Sequence, residues 1–179
     1  KYIHEEKAMI TIRNMTPTDT FPKNEPFPLF GRLIPQYDGA HWTYTTEEFP
    51  PSARSEMVFP EEEYELGAAD FFYTGAFDGD TCVGLAVWQR DMFRYLYLYD
   101  LKVNGAYREQ GIGKQLIDAG MEIARTQGLI GVYTIVQDNN LAAARFYLKS
   151  GFAIGGLNTR VYDGTRQADK RDIYLYKTL

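Results

Sequence analysis

Arg108-Glu109-Gln110-Gly111-Ile112-Gly113-Lys114 sits where the pattern of the chain changes from strand to helix. Before it, Arg94–Val103 reads as a strand. After it, Gly113–Thr126 sets Leu116, Ile117, Ala119, Ile123 and Ala124 near helical spacing, leaving Lys114, Asp118, Glu122 and Arg125 for the solvent side. Two glycines let the backbone turn closely, so several N–H groups converge on one spot. A helix N-terminus adds its partial positive charge there. Arg108 and Lys114 supply countercharge. The stretch therefore predicts a phosphate cradle. It lacks the spacing and the closing Lys-Ser/Thr pair of a P-loop, and holds two of the three glycines of a dinucleotide fingerprint. Read alone, such a turn is more often structural than functional.

Working outward, Gly128 ends the helix, Leu129–Val136 is a short apolar strand, and Asn140–Lys149 is a second helix closed by Gly151. A strand, a helix and a strand in succession imply a parallel pair between Arg94–Val103 and Leu129–Val136. Upstream, Met9–Asn14 alternates as a strand does. Phe71–Phe77 and Thr81–Trp88 flank Asp78-Gly79-Asp80 as a hairpin and, with Arg94–Val103, form an antiparallel meander. Phe152–Gly155 and Arg171–Tyr176 read as final strands. The expected architecture is α/β: one domain over 1–179, with a mixed central sheet, antiparallel N-terminal strands, a parallel pair at a cleft, and flanking helices.

All eight prolines fall between Pro17 and Pro60, among Phe21, Phe27, Phe30, Tyr37, Trp42, Tyr44, Phe49 and Phe59. That density prevents long helices, yet a disordered linker would not be so aromatic. The segment is expected to be ordered and irregular, with one or two short helices, Glu61–Ala69 being a candidate for one of them.

The chain is 45% hydrophobic, enough to bury a real core, and its single cysteine excludes an intrachain disulfide framework. Two histidines and one cysteine predict no metal site. No apolar run approaches the roughly 20 residues that cross a bilayer, and Lys1–Ala8 lacks a signal-peptide stretch, so a soluble cytoplasmic chain without a membrane partner is expected. Residues 1–88 carry a net charge of −9 and residues 89–179 a net of +4. The acidic total of −5 argues against nucleic acid as a partner. The basic half suits a phosphate-bearing ligand and the acidic half a cation, if the segregation is more than ordinary surface charge.

Asn140-Leu-Ala-Ala143-Ala144-Arg145-Phe146-Tyr147-Leu-Lys149-Ser-Gly151-Phe152 supplies a second pattern, with Asn140, Ala143, Ala144 and Tyr147 on one helical face. Taken singly, these residues fit a core-facing helix with a capping asparagine. Taken with the first stretch, the order strand, R-x-x-G-x-G, helix, strand, N-x-x-A-x-x-F-Y-x-K-x-G-F resembles the GNAT superfamily of acyl-CoA-dependent N-acetyltransferases over about residues 95–155. Pro26-Phe27, Gly31-Arg32-Leu-Ile-Pro35, Trp42-Thr43-Tyr44, Arg94-Tyr95, Asp100-Leu101 and Gln137-Asp138-Asn139-Asn140 further resemble the streptothricin acetyltransferases, in which residues 1–8 would be an extension. Two positions depart from those relatives: Tyr99-Asp100 stands where they carry Glu-Asp, and Ile135 stands where they carry an acidic residue.

The resemblance implies acetyl coenzyme A as cosubstrate. Backbone groups at Leu101 and Val103 would meet the pantetheine arm, and Arg108, Gln110, Gly111, Ile112, Gly113 and Lys114 would surround the pyrophosphate. Asn140 would bond the pantetheine, and Tyr147 would protonate the departing thiolate. Asp100 interrupts an apolar and aromatic strand just before these positions, and is the candidate base or amine-binding carboxylate; the alternative is an aspartate tied to local backbone. Cys82 lies in the hairpin, away from both patterns, and reads as a packed thiol rather than an acyl carrier. A small cationic amine such as streptothricin is the favoured acceptor, with Trp42 or Tyr44 adding cation–π attraction. Another amine (a polyamine or a peptide N-terminus), a non-catalytic acyl-CoA-binding module, and a homodimer stay open.

Overall fold

The computed structural model describes residues 7–179, so the reading of 1–8 as an extension falls largely outside the described residues. In chain order the elements are β1 (Ile10–Asn14), β2 (Phe27–Leu29), β3 (Gly31–Tyr37), β4 (Trp42–Glu48), β5 (Ser55–Met57), β6 (Phe71–Asp78), β7 (Thr81–Gln89), β8 (Tyr95–Val103), α1 (Ile112–Thr126), β9 (Gly131–Gln137), α2 (Leu141–Lys149), β10 (Ala153–Asn158) and β11 (Asp172–Thr178). Seven strands form the central sheet in the order β1-β6-β7-β8-β9-β11-β10. Every neighbouring pair is antiparallel except β8 and β9. The meander, the parallel pair and the flanking helices are those the sequence implies.

The two faces of the sheet follow from strand alternation. On β7, Ala86 and Trp88 face one core, where α1 buries Ile112, Leu116, Ile117 and Ala124. Leu116 and Ile117 are wholly inaccessible, each contributing about 1.5–3 kcal/mol of apolar burial. The helix comes so near Trp88 that a Cβ on Gly120 would overlap the indole, so only glycine fits there. On the opposite face Met15, Tyr73, Phe77, Leu85 and Val87 form a second core, covered by Phe21, Tyr64 and Leu66.

That covering corrects one expectation. Glu61–Ala69 is not a helix: its apolar residues Tyr64 and Leu66 alternate with glutamates, a spacing of two that an extended strap can bury and a helix cannot. The Pro17–Pro60 segment is likewise strand rather than helix. Its only helical piece is a 3-10 turn at Pro51–Ala53, and β2 pairs with β5 while β3 pairs with β4. Runs such as Trp42-Thr43-Tyr44-Thr45-Thr46 are β-branched and aromatic, and no helix propensity competes with that. The β3–β4 hairpin docks at the end of β9, where Leu33 N–H donates to Asp138 O at 3.0 Å.

Candidate active site

β8 and β9 pair through only three positions, Tyr95 with Gly131, Leu96 with Val132 and Tyr97 with Tyr133. Beyond them the strands part. Tyr99 is the extra residue of a bulge on β8, since Val87 opposes Asp100 while Trp88 opposes Leu98. A bulge bends its strand and increases the local twist, which turns β8 away from β9. The backbone of Leu98–Val103 is therefore paired to β7 and open toward β9. At the apex the buried Thr134 hydroxyl donates to Leu98 O at 3.1 Å, taking a carbonyl that the ladder has released.

α2 starts beyond the far end of β9 and runs back so that Tyr147, near its C-terminal end, lies at this apex. Asn140 is its N-cap, its Oδ1 accepting from Ala143 N–H at 3.2 Å, which leaves the two Nδ2 hydrogens without a partner among the described residues. One face of α2 carries Asn140, Ala143, Ala144 and Tyr147, as its spacing predicts. The Tyr147 ring lies between Phe146 and Phe152, each centroid 5.3 Å away, and its hydroxyl interacts with Thr134. Burial pushes that hydroxyl well above the ordinary phenol value, and nearby Asp100 and Tyr97 push the same way. Tyr147 thus stays protonated and able to donate.

The glycine-rich turn delivers the N-terminus of α1 to the mouth of the cleft. Gly111 precedes the helix at φ +80° and Glu109 sits at φ +61°, and no side chain caps the helix. Its first N–H groups are therefore free to bind an anion. Arg108 Nε donates to Val103 O at 3.2 Å, and its guanidinium lies 3.4 Å from Glu25, which also accepts from Gly105 N–H at 2.7 Å. Lys114 pairs with Asp118 at 3.1 Å. Both ion pairs are exposed and worth about 1 kcal/mol or less, so a polyphosphate can replace either carboxylate. Leu101 and Val103, Arg108, the Gln110–Lys114 turn, Asn140 and Tyr147 are thus gathered along one cleft.

Asp100 is brought to it too, but not held by local backbone. Tyr64 donates its hydroxyl hydrogen to Asp100 Oδ2, and Lys102 Nζ lies 3.6 Å from the same oxygen. Phe59, Glu62, Tyr64, Tyr99 and Asp100 border a cavity of about 290 Å³. Trp42 and Tyr44 do not: Trp42 lies tilted against Tyr37, centroids 4.9 Å apart, in the β3–β4 hairpin, and Tyr44 is exposed. The aromatic walls beside Asp100 are Tyr64 and Tyr99 instead. Cys82 lies in the hairpin as a half-buried thiol donating to Gly84 O at 3.1 Å, and burial raises its pKa, so it is a poor nucleophile. Thr134, Tyr64, Lys102 and Glu25 were not singled out by sequence. Only Thr134, a polar residue in an apolar strand, carried a signal.

The chain matches the profile of the acetyltransferase (GNAT) family over residues 37–152. It belongs to that family. Among curated GNAT relatives it is 32% identical to streptothricin acetyltransferase A of Bacillus subtilis (strain 168), over 86% of this chain and 89% of that protein. It is 28% identical to the streptothricin acetyltransferase of Streptomyces lavendulae, over 71% of this chain and 67% of that one. Among solved structures, a Bacillus anthracis str. Ames protein assigned as a streptothricin acetyltransferase, in complex with acetyl coenzyme A, superposes with a TM-score of 0.83 at 29% identity. It covers 97% of this chain and 99% of its own. Both the GNAT reading of the sequence and its likeness to streptothricin acetyltransferases are borne out, and the protein is an acetyltransferase.

Proposed function

We propose that this acetyltransferase moves an acetyl group from acetyl coenzyme A directly to a primary amine of a small cationic acceptor of the streptothricin kind. The observation that carries the proposal is the parting of β8 and β9 after three pairs, with Tyr147 at the apex and Asp100 on the bulged strand. The names of the relatives and the acetyl coenzyme A bound in one of them support it.

The donor fits the residues present. The uncapped N-terminus of α1, with Arg108, Gln110, Gly111, Ile112, Gly113 and Lys114 around it, would hold the pyrophosphate. Open backbone at Leu101 and Val103, and the free Nδ2 of Asn140, would bond the pantetheine arm. Bound there, the donor supplies an activated acyl carbon.

An acceptor arrives as an ammonium, which has no lone pair. Asp100 attracts it and takes its proton, directly or through a water. The nitrogen then forms a bond to the acyl carbon, and the carbon–sulfur bond breaks with its electron pair passing to sulfur. N–H groups of β8 facing the cleft stabilise the acyl oxygen as it gains charge. The Tyr147 hydroxyl gives its proton to the departing sulfur and regains one from solvent, while the nitrogen's remaining surplus proton and the one taken by Asp100 leave to solvent.

The test is release of free thiol from acetyl coenzyme A in the presence of streptothricin, an aminoglycoside, a polyamine or a peptide N-terminus. Release with streptothricin, and none without an amine, is expected. Turnover of a peptide N-terminus or a polyamine in its place would transfer the site to another acceptor. Thiol release that no amine stimulates would leave an acyl-coenzyme A-binding module.

A further inference from the structure

We infer that Tyr64, on a strap distant in sequence from every cofactor contact, is the positioning residue for the acceptor carboxylate: it locks Asp100 Oδ2 and leaves Oδ1 for the amine. The inference rests on the reading of Asp100 as the amine-binding group.

The direction of the protons decides the assignment. A lysine ammonium is a donor only, so in its 3.1 Å contact with Tyr64 Oη it is Lys102 Nζ that donates. The phenol hydrogen must then point away from Lys102, and the acceptor within reach is Asp100 Oδ2. Burial, followed by the contact with Asp100, raises the pKa of Tyr64, which keeps that hydrogen in place. Asp100 Oδ2 thus receives the phenol hydrogen and the nearby charge of Lys102, whereas Oδ1 has no hydrogen-bond partner among the described residues.

The strap itself is fixed at several points. Lys102 Nζ also donates to Asn24 Oδ1 at 2.8 Å, and Asn24 in turn donates from Nδ2 to Phe59 O at 3.2 Å and Pro60 O at 3.0 Å. Asn24 N–H donates to Glu61 Oε1 at 2.8 Å, and the Tyr99 hydroxyl donates to Glu62 Oε1 at 2.7 Å. The ring of Tyr64 is anchored against Phe21 and Tyr73 at 5.0 and 5.8 Å. Only its hydroxyl edge reaches the site, so Tyr64→Phe removes the hydrogen bond to Asp100 and the one from Lys102 and keeps the packing.

The experiment is a double-mutant cycle of Tyr64→Phe and Asp100→Asn, read as kcat and KM for streptothricin, with coenzyme A affinity and melting temperature measured on each variant. Tyr64→Phe is expected to raise KM for streptothricin about tenfold or more with coenzyme A affinity unchanged, the melting temperature falling by no more than the loss of two hydrogen bonds accounts for. In the Asp100→Asn background it should add nothing, because the group it positions has gone. An impaired Asp100→Asn with a silent Tyr64→Phe overturns the inference and leaves the acceptor reading intact. Losses that simply multiply also overturn it, since Tyr64 would then act apart from Asp100. A silent Asp100→Asn, or no turnover of streptothricin by the parent, overturns the acceptor reading and this inference with it.

Discussion

Gly113, in the first turn of α1, lies against the ring of Phe146 on α2: a Cβ built on it would come 2.8 Å from Phe146 Cζ. The two helices that frame the cleft thus meet at the uncapped first turn of α1. Gly113→Ala should gain about 1 kcal/mol in helix propensity but lose more by forcing the ring aside, since overpacking costs about 1–3 kcal/mol. The expected result is weaker coenzyme A binding by calorimetry and a lower melting temperature. Trimming the ring in Gly113→Ala/Phe146→Leu should recover most of the affinity. If Gly113→Ala binds coenzyme A as the parent does, the contact does not set the geometry of the cradle.

Gly111 poses a cleaner electrostatic question. It holds φ +80°, and no atom lies within 4 Å of where a Cβ would stand, so substitution there meets strain but no clash. Asn and Asp share the strain and differ in charge. Gly111→Asp should therefore weaken coenzyme A at least about tenfold more than Gly111→Asn, and the gap should narrow as salt is raised. Equal affinities for the two would remove the pyrophosphate from this turn.

Both glycines were legible in the sequence, as were α1, α2 and the β6–β7–β8 meander, because each rests on local spacing or on a residue type that the backbone demands. What stayed hidden depends on partners far along the chain. β2 pairs Phe27 with Met57, and Tyr64 meets Asp100 across 36 positions, so neither could be read from a short window. The parting of β8 from β9 follows from one bulged residue, Tyr99, which no composition rule marks. Trp42 and Tyr44 looked like cation-binding faces because they are aromatic, yet pairing within their own hairpin holds them elsewhere.

Tyr147 gives the test of the chemistry. Tyr147→Phe keeps the ring between Phe146 and Phe152 and removes only the hydroxyl, so coenzyme A affinity should hold while kcat falls on the order of tenfold or more. Because burial raises the phenol's pKa above its ordinary 10.0, kcat should show no alkaline loss from this group below about pH 10. A Tyr147→Phe protein with parental turnover, chemistry being rate-limiting, would strip the hydroxyl of this role.

Stability should fall in alkali for a related reason. Burial, then Asp91, raises the pKa of Tyr133; burial, then Asp172, pushes Tyr162 up to about 12; and the hydrogen bond to Glu62 pushes Tyr99 up to about 12. A raised folded-state value means that the folded chain holds protons the unfolded chain has lost. That contribution is complete below pH 10.0 and declines as the pH rises through the folded values. Melting temperature should drop steeply between about pH 10 and pH 12, with tyrosinate absorbance rising together with unfolding. Smooth tyrosinate titration near pH 10 in a chain that stays folded would contradict these assignments.

Asp100→Asn separates charge from shape at the acceptor end. The carboxylate is one-quarter exposed, beside Lys102 and within a border that also carries Glu62. An asparagine there keeps the volume and can still accept from Tyr64, but it no longer attracts an ammonium or takes its proton. KM for a cationic amine should rise and kcat should fall, whereas coenzyme A, which the proposal seats on the Gly111–Lys114 turn, should bind as before. Salt gives an independent reading, because a charge-steered acceptor is captured less well as ionic strength screens Asp100 over a Debye length of about 8–10 Å. The parent should therefore lose kcat/KM for streptothricin as salt rises, and Asp100→Asn should lose less. An Asp100→Asn enzyme with parental kinetics and the parental salt slope would move acceptor capture away from this carboxylate.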